Sequence, residues 1–500
     1  MKRKSSPRLR AIRLAITYFV MIVAIVVIVT VLVFVLLGYQ LSGDGRLTQG
    51  GLVQFGSNPG SATVYIDGVK FGSTTPTQTT LLSGSHSFQY QKQGYRPWQK
   101  TLSLMPGSVL WVNYARLVPT TLTPKTVANF DTVASALASP NNGIMAIVPD
   151  ASQPKVVLGN ITGDQVKTVD VTLPEGSFTA PTQPGDQTFS IASWSADSHY
   201  LLLKHTYNGN SVEWLRLDAT SPATTTAIQN ITTELAVPLN TLVFRPSNSS
   251  QLYALSDSAD LRLIDLSNQT ISAPLATDVA NYYVAPDDGM VTYVTNTDAK
   301  TNSRSVGYIS DGSTKSQVLR TYTDDGNVTL HAVSGVYYNQ RYIAISHGDQ
   351  LVVMSADLPD SGSADTSSLS LQVIKTETLP FATVDTLSDI TRGRFVVASN
   401  STTYTTYDLE LGRYTTATFS GSLDVRAAAR PFGWLDNYVL YSVTGGELQL
   451  AEFDGGNHQS IVQAIPGLDE TLSPNGKYLY EFMTTTDGKV ALTRVQMILN

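Results

Sequence analysis

The chain contains no cysteine among its 500 residues. This absence excludes disulfide bonds, thiolate metal sites, lipid attachment through cysteine and cysteine nucleophiles. Charged residues are also scarce, at 15% of the chain. An exported chain of this composition must hold its fold by hydrophobic burial and β-ladders alone, and export without oxidative folding favours a bacterial origin.

Patterns typical of helices and of catalytic sites are rare as well. Beyond residue 43, many short segments alternate apolar with polar residues and end at Gly, Asn, Asp or Pro, whereas helical spacing of apolar residues is almost absent. This alternation predicts an all-β fold. No Gly-x-Ser-x-Gly elbow, His-x-x-x-His pair or lysine-bearing glycine-rich loop occurs. We therefore predict no catalytic residue, no cofactor and no metal ion.

One long apolar segment lies near the beginning of the chain. Residues 14–37 are almost wholly aliphatic, which is long enough for a helix to cross a hydrocarbon layer of about 30 Å. Six basic residues precede the segment: Lys2, Arg3, Lys4, Arg8, Arg10 and Arg13. Because a basic flank stays in the cytoplasm, we predict a cytoplasmic tail over 1–13, a single helix through the lipid bilayer over 14–37, and extracytoplasmic domains held at the cell membrane.

A cleaved signal sequence is the alternative interpretation of this segment. The apolar stretch is longer than the core of a signal sequence, and no small-x-small cleavage site follows it. The tail of 13 residues is too short to fold, so we expect it only to orient the anchor. The net charge of −7 includes this basic tail, so the rest of the chain is more acidic still. An acidic surface disfavours nucleic acid as a partner.

Two polar segments divide the remainder of the chain. Residues 38–50 are rich in glycine and polar side chains, and residues 119–125 contain Pro119 and Pro124. Both compositions are typical of linkers. We therefore predict a small domain over 51–118 and a large domain over 126–500.

The small domain shows short strands separated by turns. Val64-Tyr65-Ile66 runs into Asp67-Gly68, which predicts a hairpin because such a turn requires positive φ. Similar segments after residue 86 predict further strands that close a small β-sandwich.

These residues resemble the PEGA domain, whose elements follow one another here in the family's order. The positions that carry the resemblance are Pro59, Gly60, Asp67, Gly68, Gly72, Pro76, Gly84, His86, Gly94 and Tyr95. The first turn departs from the family pattern, because Gly60 and Ser61 stand where Glu and Gly are expected. The resemblance implies a non-catalytic extracytoplasmic β-module in contact with wall or glycan. We expect His86 to be a structural residue bonded to the backbone and not a ligand.

In the large domain, a looser unit recurs: an apolar strand, a turn with Asp or Asn, and further apolar strands. Eight turn positions mark the copies at spacings of 39 to 55 residues: Asn142, Asp197, Asn248, Asp288, Asn339, Gly393, Asp436 and Asn475. A repeat of this length is typical of a four-stranded propeller blade, so we predict a seven- or eight-bladed β-propeller. The Ser-Pro-Asn-Gly turn at 473–476 resembles that of TolB-like propellers.

Two acidic turns, 287–289 and 324–326, have carboxylates that suit calcium, but neither has the spaced acidic ligands and distal Glu of a calcium loop. Two functions therefore remain open. The favoured hypothesis is a surface-displayed binding or scaffolding protein that recognises a glycan, a peptide or an envelope protein. The alternative is a glycan hydrolase or lyase acting from the propeller channel. Acidic and aromatic residues converging on the channel would favour the enzyme, whereas a channel lined by Ser, Thr and apolar residues would favour binding.

Overall fold

The N-terminal apolar segment forms a single helix, α1, over Pro7–Leu36 in this computed structural model. The structure describes residues 7–36, 38–41, 47–222, 228–323, 328–363, 369–388, 394–423 and 432–499. Within these residues, Ala11–Val35 is the one stretch long and apolar enough to cross a membrane. The helix begins earlier than the predicted span because Leu, Arg and Ala continue the helix well and Pro7 suits its first position. Its length and composition suit a membrane anchor or a signal sequence.

The chain turns immediately after α1 and enters a hairpin. Gly38 has a φ of 76°, a conformation that glycine adopts without steric cost. Strand β1 (Tyr39–Leu41) then pairs antiparallel with the start of β2 (Leu47–Asn58). The stretch 38–50 is therefore not wholly a linker as predicted, since its ends join a sheet.

Strands β1 to β8 form two packed sheets within the compact unit Met1–Thr121. One sheet has the order β1-β2-β5, with β8 also paired to β2, and the second has the order β4-β3-β6-β7. The remaining strands are β3 (Thr63–Ile66), β4 (Val69–Thr74), β5 (Thr77–Leu82), β6 (Gly84–Gln91), β7 (Trp98–Leu104) and β8 (Val109–Arg116). Aromatic side chains of both sheets meet in the core, where Phe55 lies 5.5 Å from Phe88 and Trp98 stacks on Tyr90 at 4.7 Å.

The second unit, Leu122–Asn500, contains eight four-stranded antiparallel sheets within its described residues. Sheets 1 to 4 consist of β10 (Ser135–Ala138), β11 (Ile144–Val148), β12 (Lys155–Asn160) and β13 (Lys167–Thr172); β14 (Gln187–Trp194), β15 (Tyr200–Tyr207), β16 (Ser211–Asp218) and β17 (Ile228–Asn230); β18 (Leu239–Arg245), β19 (Asn248–Ser256), β20 (Leu261–Asp265) and β21 (Thr270–Ile271); and β22 (Val279–Val284), β23 (Val291–Thr295), β24 (Ser303–Ile309) and β25 (Gln317–Thr323). A short helix, α2 (Ile231–Leu235), follows β17.

Sheets 5 to 8 repeat the same order. They consist of β26 (Leu330–Tyr337), β27 (Gln340–His347), β28 (Gln350–Asp357) and β29 (Ser370–Thr378); β30 (Thr386–Leu387), β31 (Phe395–Asn400), β32 (Thr403–Asp408) and β33 (Arg413–Thr418); β34 (Gly433–Trp434), β35 (Val439–Thr444), β36 (Glu447–Glu452) and β37 (Gln459–Gln463); and β38 (Thr471–Leu472), β39 (Tyr478–Thr484), β40 (Val490–Gln496) and β9 (Lys125–Phe130). The last sheet thus takes its fourth strand from the beginning of the unit.

Buried apolar clusters join successive sheets face to face. One cluster joins sheets 1 and 2, and comparable clusters continue from sheet to sheet as far as sheet 7. Between sheets 7 and 8, Tyr441 donates a hydrogen bond to Asp469 at 2.7 Å. A final cluster containing Met145, Tyr480 and Phe482 joins sheet 8 to sheet 1. The all-β prediction is confirmed, and the arrangement is propeller-like because each sheet buries both faces against its neighbours.

Candidate functional site

The first strands of six sheets end around one cavity of about 730 Å³ in the second unit. Most of its walls are the last residues of these strands and the turns that follow them, whereas Tyr441 lies on β35, and Asp469 and Glu470 precede β38. They comprise Leu137, Ala138, Ser139, Pro140, Asn142, Ala192, Ser193, Trp194, Ala196, Val243, Phe244, Pro246, Val284, Pro286, Asp287, Gly433, Trp434, Leu435, Tyr441, Asp469, Glu470 and Thr471. A concave site of this size, lined by both apolar and polar groups, is typical of ligand binding.

A repeated turn shapes part of the cavity mouth. In sheet 2, Ser195 Oγ donates to Asp197 Oδ1 at 2.5 Å and accepts from the Tyr200 amide at 2.9 Å. The same bonds recur in sheet 8 among Ser473, Asn475 and Tyr478. Each turn satisfies its own backbone, so these polar residues serve turn geometry.

The first copy of this turn lies one residue earlier than its predicted marker. In sheet 1, Asn141 Oδ1 accepts from Ser139 Oγ at 2.8 Å and from the Gly143 amide at 2.9 Å. The marker Asn142 instead has a φ of 54° and lines the cavity. Sequence spacing identified the turn but could not separate two adjacent asparagines, because either side chain suits a turn.

The predicted acidic turn 287–289 has partners within the protein. Asp288 accepts a hydrogen bond from the Met290 amide at 3.1 Å and forms an ion pair with Arg341 of sheet 5. Searching the described residues finds no group of three His, Cys, Asp or Glu side chains that could hold a metal ion. The turn 324–326 and the marker Gly393 lie outside the described residues.

Aromatic side chains from three sheets line the cavity. Trp194 donates from Nε1 to the Leu137 carbonyl at 3.1 Å, which fixes its ring at the boundary of sheets 1 and 2. Trp434 stacks on Phe395 with ring centres 5.9 Å apart. The indole Nε1 of Trp434 is buried and makes no hydrogen bond to any described residue. A buried donor without a partner costs free energy in the fold.

Three carboxylates also line the cavity, and one of them is fully engaged. Asp469 accepts from Tyr441 Oη at 2.7 Å and from the Ala138 amide at 2.8 Å, which ties together sheets 7, 8 and 1. Burial raises the pKa of Tyr441 well above its usual value, and the charges of Asp469 and Glu470 raise it further. Tyr441 therefore remains a protonated donor. Glu470 is buried beside this pair and Asp287 lies in the turn after β22.

The residues predicted from the small domain lie in its turns and core. Asp67 and Gly68 form the hairpin turn between β3 and β4 with positive φ at both positions. Gly84 and Gly94 also have positive φ, and Tyr95 is buried. The bonds before Pro59 and Pro76 are cis. Gly60 faces ordinary van der Waals contacts and Gly72 faces open space. These residues are distributed through the fold and do not converge on one pocket.

His86 bonds to a carboxylate as well as to the backbone. Its Nδ1 lies 2.7 Å from Asp67 Oδ2, and its Nε2 lies 2.8 Å from the Leu82 carbonyl. Burial lowers the pKa of His86, but the hydrogen bonds to Asp67 and Leu82 outweigh it, so the pKa is raised. The hydrogen bond from His86 lowers the pKa of Asp67. The pair fastens the β3–β4 turn to β6.

We expect the His86–Asp67 pair to make stability depend on pH near neutrality. Because the folded pKa of His86 is raised, its contribution is complete below the unfolded value of about 6.5 and is lost as pH rises through the folded value. Since Asp67 is half exposed, we expect a loss of only about 0.5–1 kcal/mol. Thermal unfolding at pH 5.5 and pH 8.5 should show this change in the native chain and not in His86→Gln. An equal change in both would contradict the assignment.

A second polar centre, in sheet 2, was missed by the sequence analysis. His205 and Glu213 are buried, and His205 Nδ1 lies 2.7 Å from Glu213 Oε1. Glu213 also accepts from Thr179 and Asn230. His199, which comes just before β15, is exposed beside Asp197. No local pattern in the sequence could indicate the carboxylate partner of His205.

Comparisons with solved structures find β-propellers. The Myceliophteria thermophila Cps50 (Swd1) β-propeller domain is 11% identical, with a TM-score of 0.38, and the match covers 74% of this chain and 99% of that one. An oligogalacturonate lyase in complex with manganese is 13% identical, with a TM-score of 0.39, and coverage is 74% and 98%. The computationally designed Ika8 protein is 10% identical, with a TM-score of 0.42 and coverage of 75% and 98%. At these values, the likenesses assign no function, and the TolB-like resemblance stays a prediction.

No curated protein matches the sequence of this chain. The small domain, by contrast, is matched by a family model, and the match covers residues 51–120. The resemblance predicted from the turn residues over 51–118 is therefore confirmed: residues 51–120 match the PEGA domain.

Proposed function

We propose that this chain is a membrane-anchored extracytoplasmic binding protein of a bacterial cell surface. In this proposal α1 spans the membrane with its basic flank in the cytoplasm, because Arg and Lys beside a span stay on that side. The PEGA domain and the second unit then lie outside. The eight sheets serve as the eight blades of a propeller, and its central cavity holds the ligand.

The observation that carries the proposal is the cavity formed by six first strands. Rings from separate sheets, including Trp194, Phe244 and Trp434, supply flat apolar surfaces. Such surfaces suit the apolar face of a sugar ring or an apolar peptide side chain. Hydroxyl and carboxylate groups in the lining add hydrogen-bonding partners. We propose a glycan as the ligand, since sugar hydroxyl groups both donate and accept such bonds.

A groove on the PEGA domain supports the same class of ligand. It has a volume of about 620 Å³, and three amide side chains, Gln54, Gln78 and Asn113, line it together with hydroxyl groups. Amides donate and accept at once, as does a sugar hydroxyl. Each site by itself therefore suits a glycan.

The test measures binding of soluble cell-wall oligosaccharides to the whole chain in lipid nanodiscs by calorimetry. We expect Trp434→Ala to weaken binding at least tenfold, or about 1.4 kcal/mol, whereas Trp434→Phe keeps the ring and most of the affinity. Tyr338→Ala removes an exposed ring that does not line the cavity, so it should leave binding unchanged. If Trp434→Ala binds as tightly as the native chain, the cavity is not the binding site.

A glycan hydrolase or lyase is the second candidate function, and the three carboxylates that line the cavity together with aromatic rings are the pattern expected of such an enzyme. Glu470 is buried against the cavity, and a buried carboxyl beside a second carboxylate is the usual source of a general acid. Asp469 is less suited to this chemistry because both of its oxygens accept bonds from the protein. We expect no change in the length of bound oligosaccharides after prolonged incubation, measured by mass spectrometry. Turnover that Glu470→Gln abolishes would establish the enzyme instead.

A further inference from the structure

The PEGA domain exposes apolar side chains close to the end of α1. Met105, in the turn between β7 and β8, is 65% exposed, and Leu47, at the start of β2, is 52% exposed. Val109 and Trp111 at the start of β8 are 46% and 37% exposed. Isolated exposed apolar residues are ordinary, but neighbouring ones at one end of a domain indicate a contact surface.

Backbone hydrogen bonds tie this end of the domain to the helix. The Gly50 amide donates to the Gly38 carbonyl at 2.8 Å, and the Gly107 amide donates to the Gly50 carbonyl at 2.9 Å. The ring of Tyr39 also packs edge-on against Phe34 of α1 at 5.1 Å. Because the amide and the carbonyl of one strand residue point to the same side, Gly38 and Gly107 lie along the same edge of β2. The turn 105–108 is therefore a neighbour of the point where the chain leaves α1.

Val109 and Trp111 point to the same side of their sheet. They alternate along β8 with Leu110 and Val112, and Val112 is buried. Across the parallel ladder, Leu52 is the partner of Val109, and Gln54 is the partner of Trp111. Because partners in register share a face, the outer face of this sheet is apolar where it begins and polar further along. Its apolar end is the one bonded to the turn 105–108.

We propose that Leu47, Met105, Val109 and Trp111 contact the surface of the phospholipid bilayer and seat the PEGA domain on it. The inference rests on α1 spanning the membrane, as in the proposed function, and not on the ligand of the cavity. The bilayer is the occupant because the apolar span Ala11–Val35 leads almost directly into the hydrogen bonds that hold this end. Tryptophan prefers the interface between headgroups and acyl chains, and flexible methionine fills irregular apolar surroundings.

The absence of cysteine makes single-cysteine labelling a clean test. Met105→Cys and Val69→Cys carry a spin label in the full chain, reconstituted in phosphatidylcholine and phosphatidylglycerol vesicles. Val69 is the matched control because it is 71% exposed in the same domain but lies on β4 of the other sheet. At each site we measure how often the spin label collides with oxygen, which dissolves in lipid, and with a nickel complex, which stays in water. We expect the oxygen-to-nickel ratio to be at least threefold higher at Met105→Cys than at Val69→Cys. Equal ratios at the two sites would overturn the proposal.

Two further measurements test whether α1 is in the membrane and whether a second copy of the chain covers the surface instead. A label at Val27→Cys, within α1, reports whether the helix itself is in lipid; a lipid signal there with none at Met105→Cys would refute only the seating of the domain. A second copy of the chain is the rival occupant. It would broaden the Met105→Cys spectrum through contact between labels, and dilution with unlabelled chain would abolish the broadening. Such broadening without oxygen accessibility would also overturn the proposal.

Discussion

Glu213→Ala is expected to destabilise the second unit by about 3–5 kcal/mol, because it leaves a buried histidine facing an empty position. Glu213 accepts hydrogen bonds from His205, from Thr179 and from Asn230. His205 itself is stacked between Phe189 and Tyr207 and cannot turn toward water. The loop that carries Thr179 would also lose its attachment to sheet 2. Denaturant titration followed by near-ultraviolet circular dichroism measures the loss.

Two variants control this prediction. Glu213→Gln keeps an acceptor oxygen without the charge, so we expect a smaller loss of about 1–2 kcal/mol. Glu175→Ala removes an exposed carboxylate a few residues before Thr179, and its effect should stay within about 0.5 kcal/mol. A loss below 1 kcal/mol for Glu213→Ala would show that the buried pair does not hold the loop in place.

We also expect Glu213 to make the stability of the fold depend on pH in the acidic range. Burial raises the pKa of Glu213, but the hydrogen bonds from His205, Asn230 and Thr179 lower it to about 2. Because the folded pKa is depressed, the contribution is complete above the unfolded value of about 4.3 and is lost as pH falls toward 2. Unfolding titrations between pH 5 and pH 2.5 should show a steeper loss in the native chain than in Glu213→Gln. Parallel curves would contradict the assignment.

Phe482→Ala is expected to cost about 3–5 kcal/mol, because it empties a fully buried site where the last sheet meets the first. Phe482 is 0% exposed and packs in one cluster with Met145 of sheet 1. Strand β9 pairs with β40 in the same sheet. Loosening this contact would therefore also free the edge of β40. Thermal unfolding and limited proteolysis near residues 125–130 measure the two effects.

The control for this prediction is a substitution that preserves volume. Phe482→Leu keeps an apolar side chain of similar size, so we expect a loss of about 1–1.5 kcal/mol and native resistance to protease. If Phe482→Ala lowers stability but produces no new cleavage near residues 125–130, the packing between sheets 8 and 1 does not hold β9 in place. In that case the hydrogen bonds to β40 hold β9 by themselves.

The amino-acid sequence indicated the parts of this protein whose cause is local. The helix follows from composition within residues 14–37, and the PEGA domain follows from turn residues such as Asp67 and Gly68 in a fixed order. The sheets of the second unit follow from a turn in which Ser195 and Asp197 satisfy the adjacent backbone. Each signal depends on residues within about one turn or hairpin, so it is readable without knowing what lies across the fold.

The tertiary structure alone decided how these parts meet. Strand β9 joins β40 across more than 350 residues of chain, a pairing that depends on which apolar faces remain uncovered once the other sheets have packed. The cavity brings together Trp194, Trp434 and Asp469 for the same reason. The partner of His205 and the closeness of Met105 to the helix end are likewise contacts between separate strands or turns. Burial between sheets that are far apart in the sequence decides such contacts, so the local pattern of residues cannot predict them.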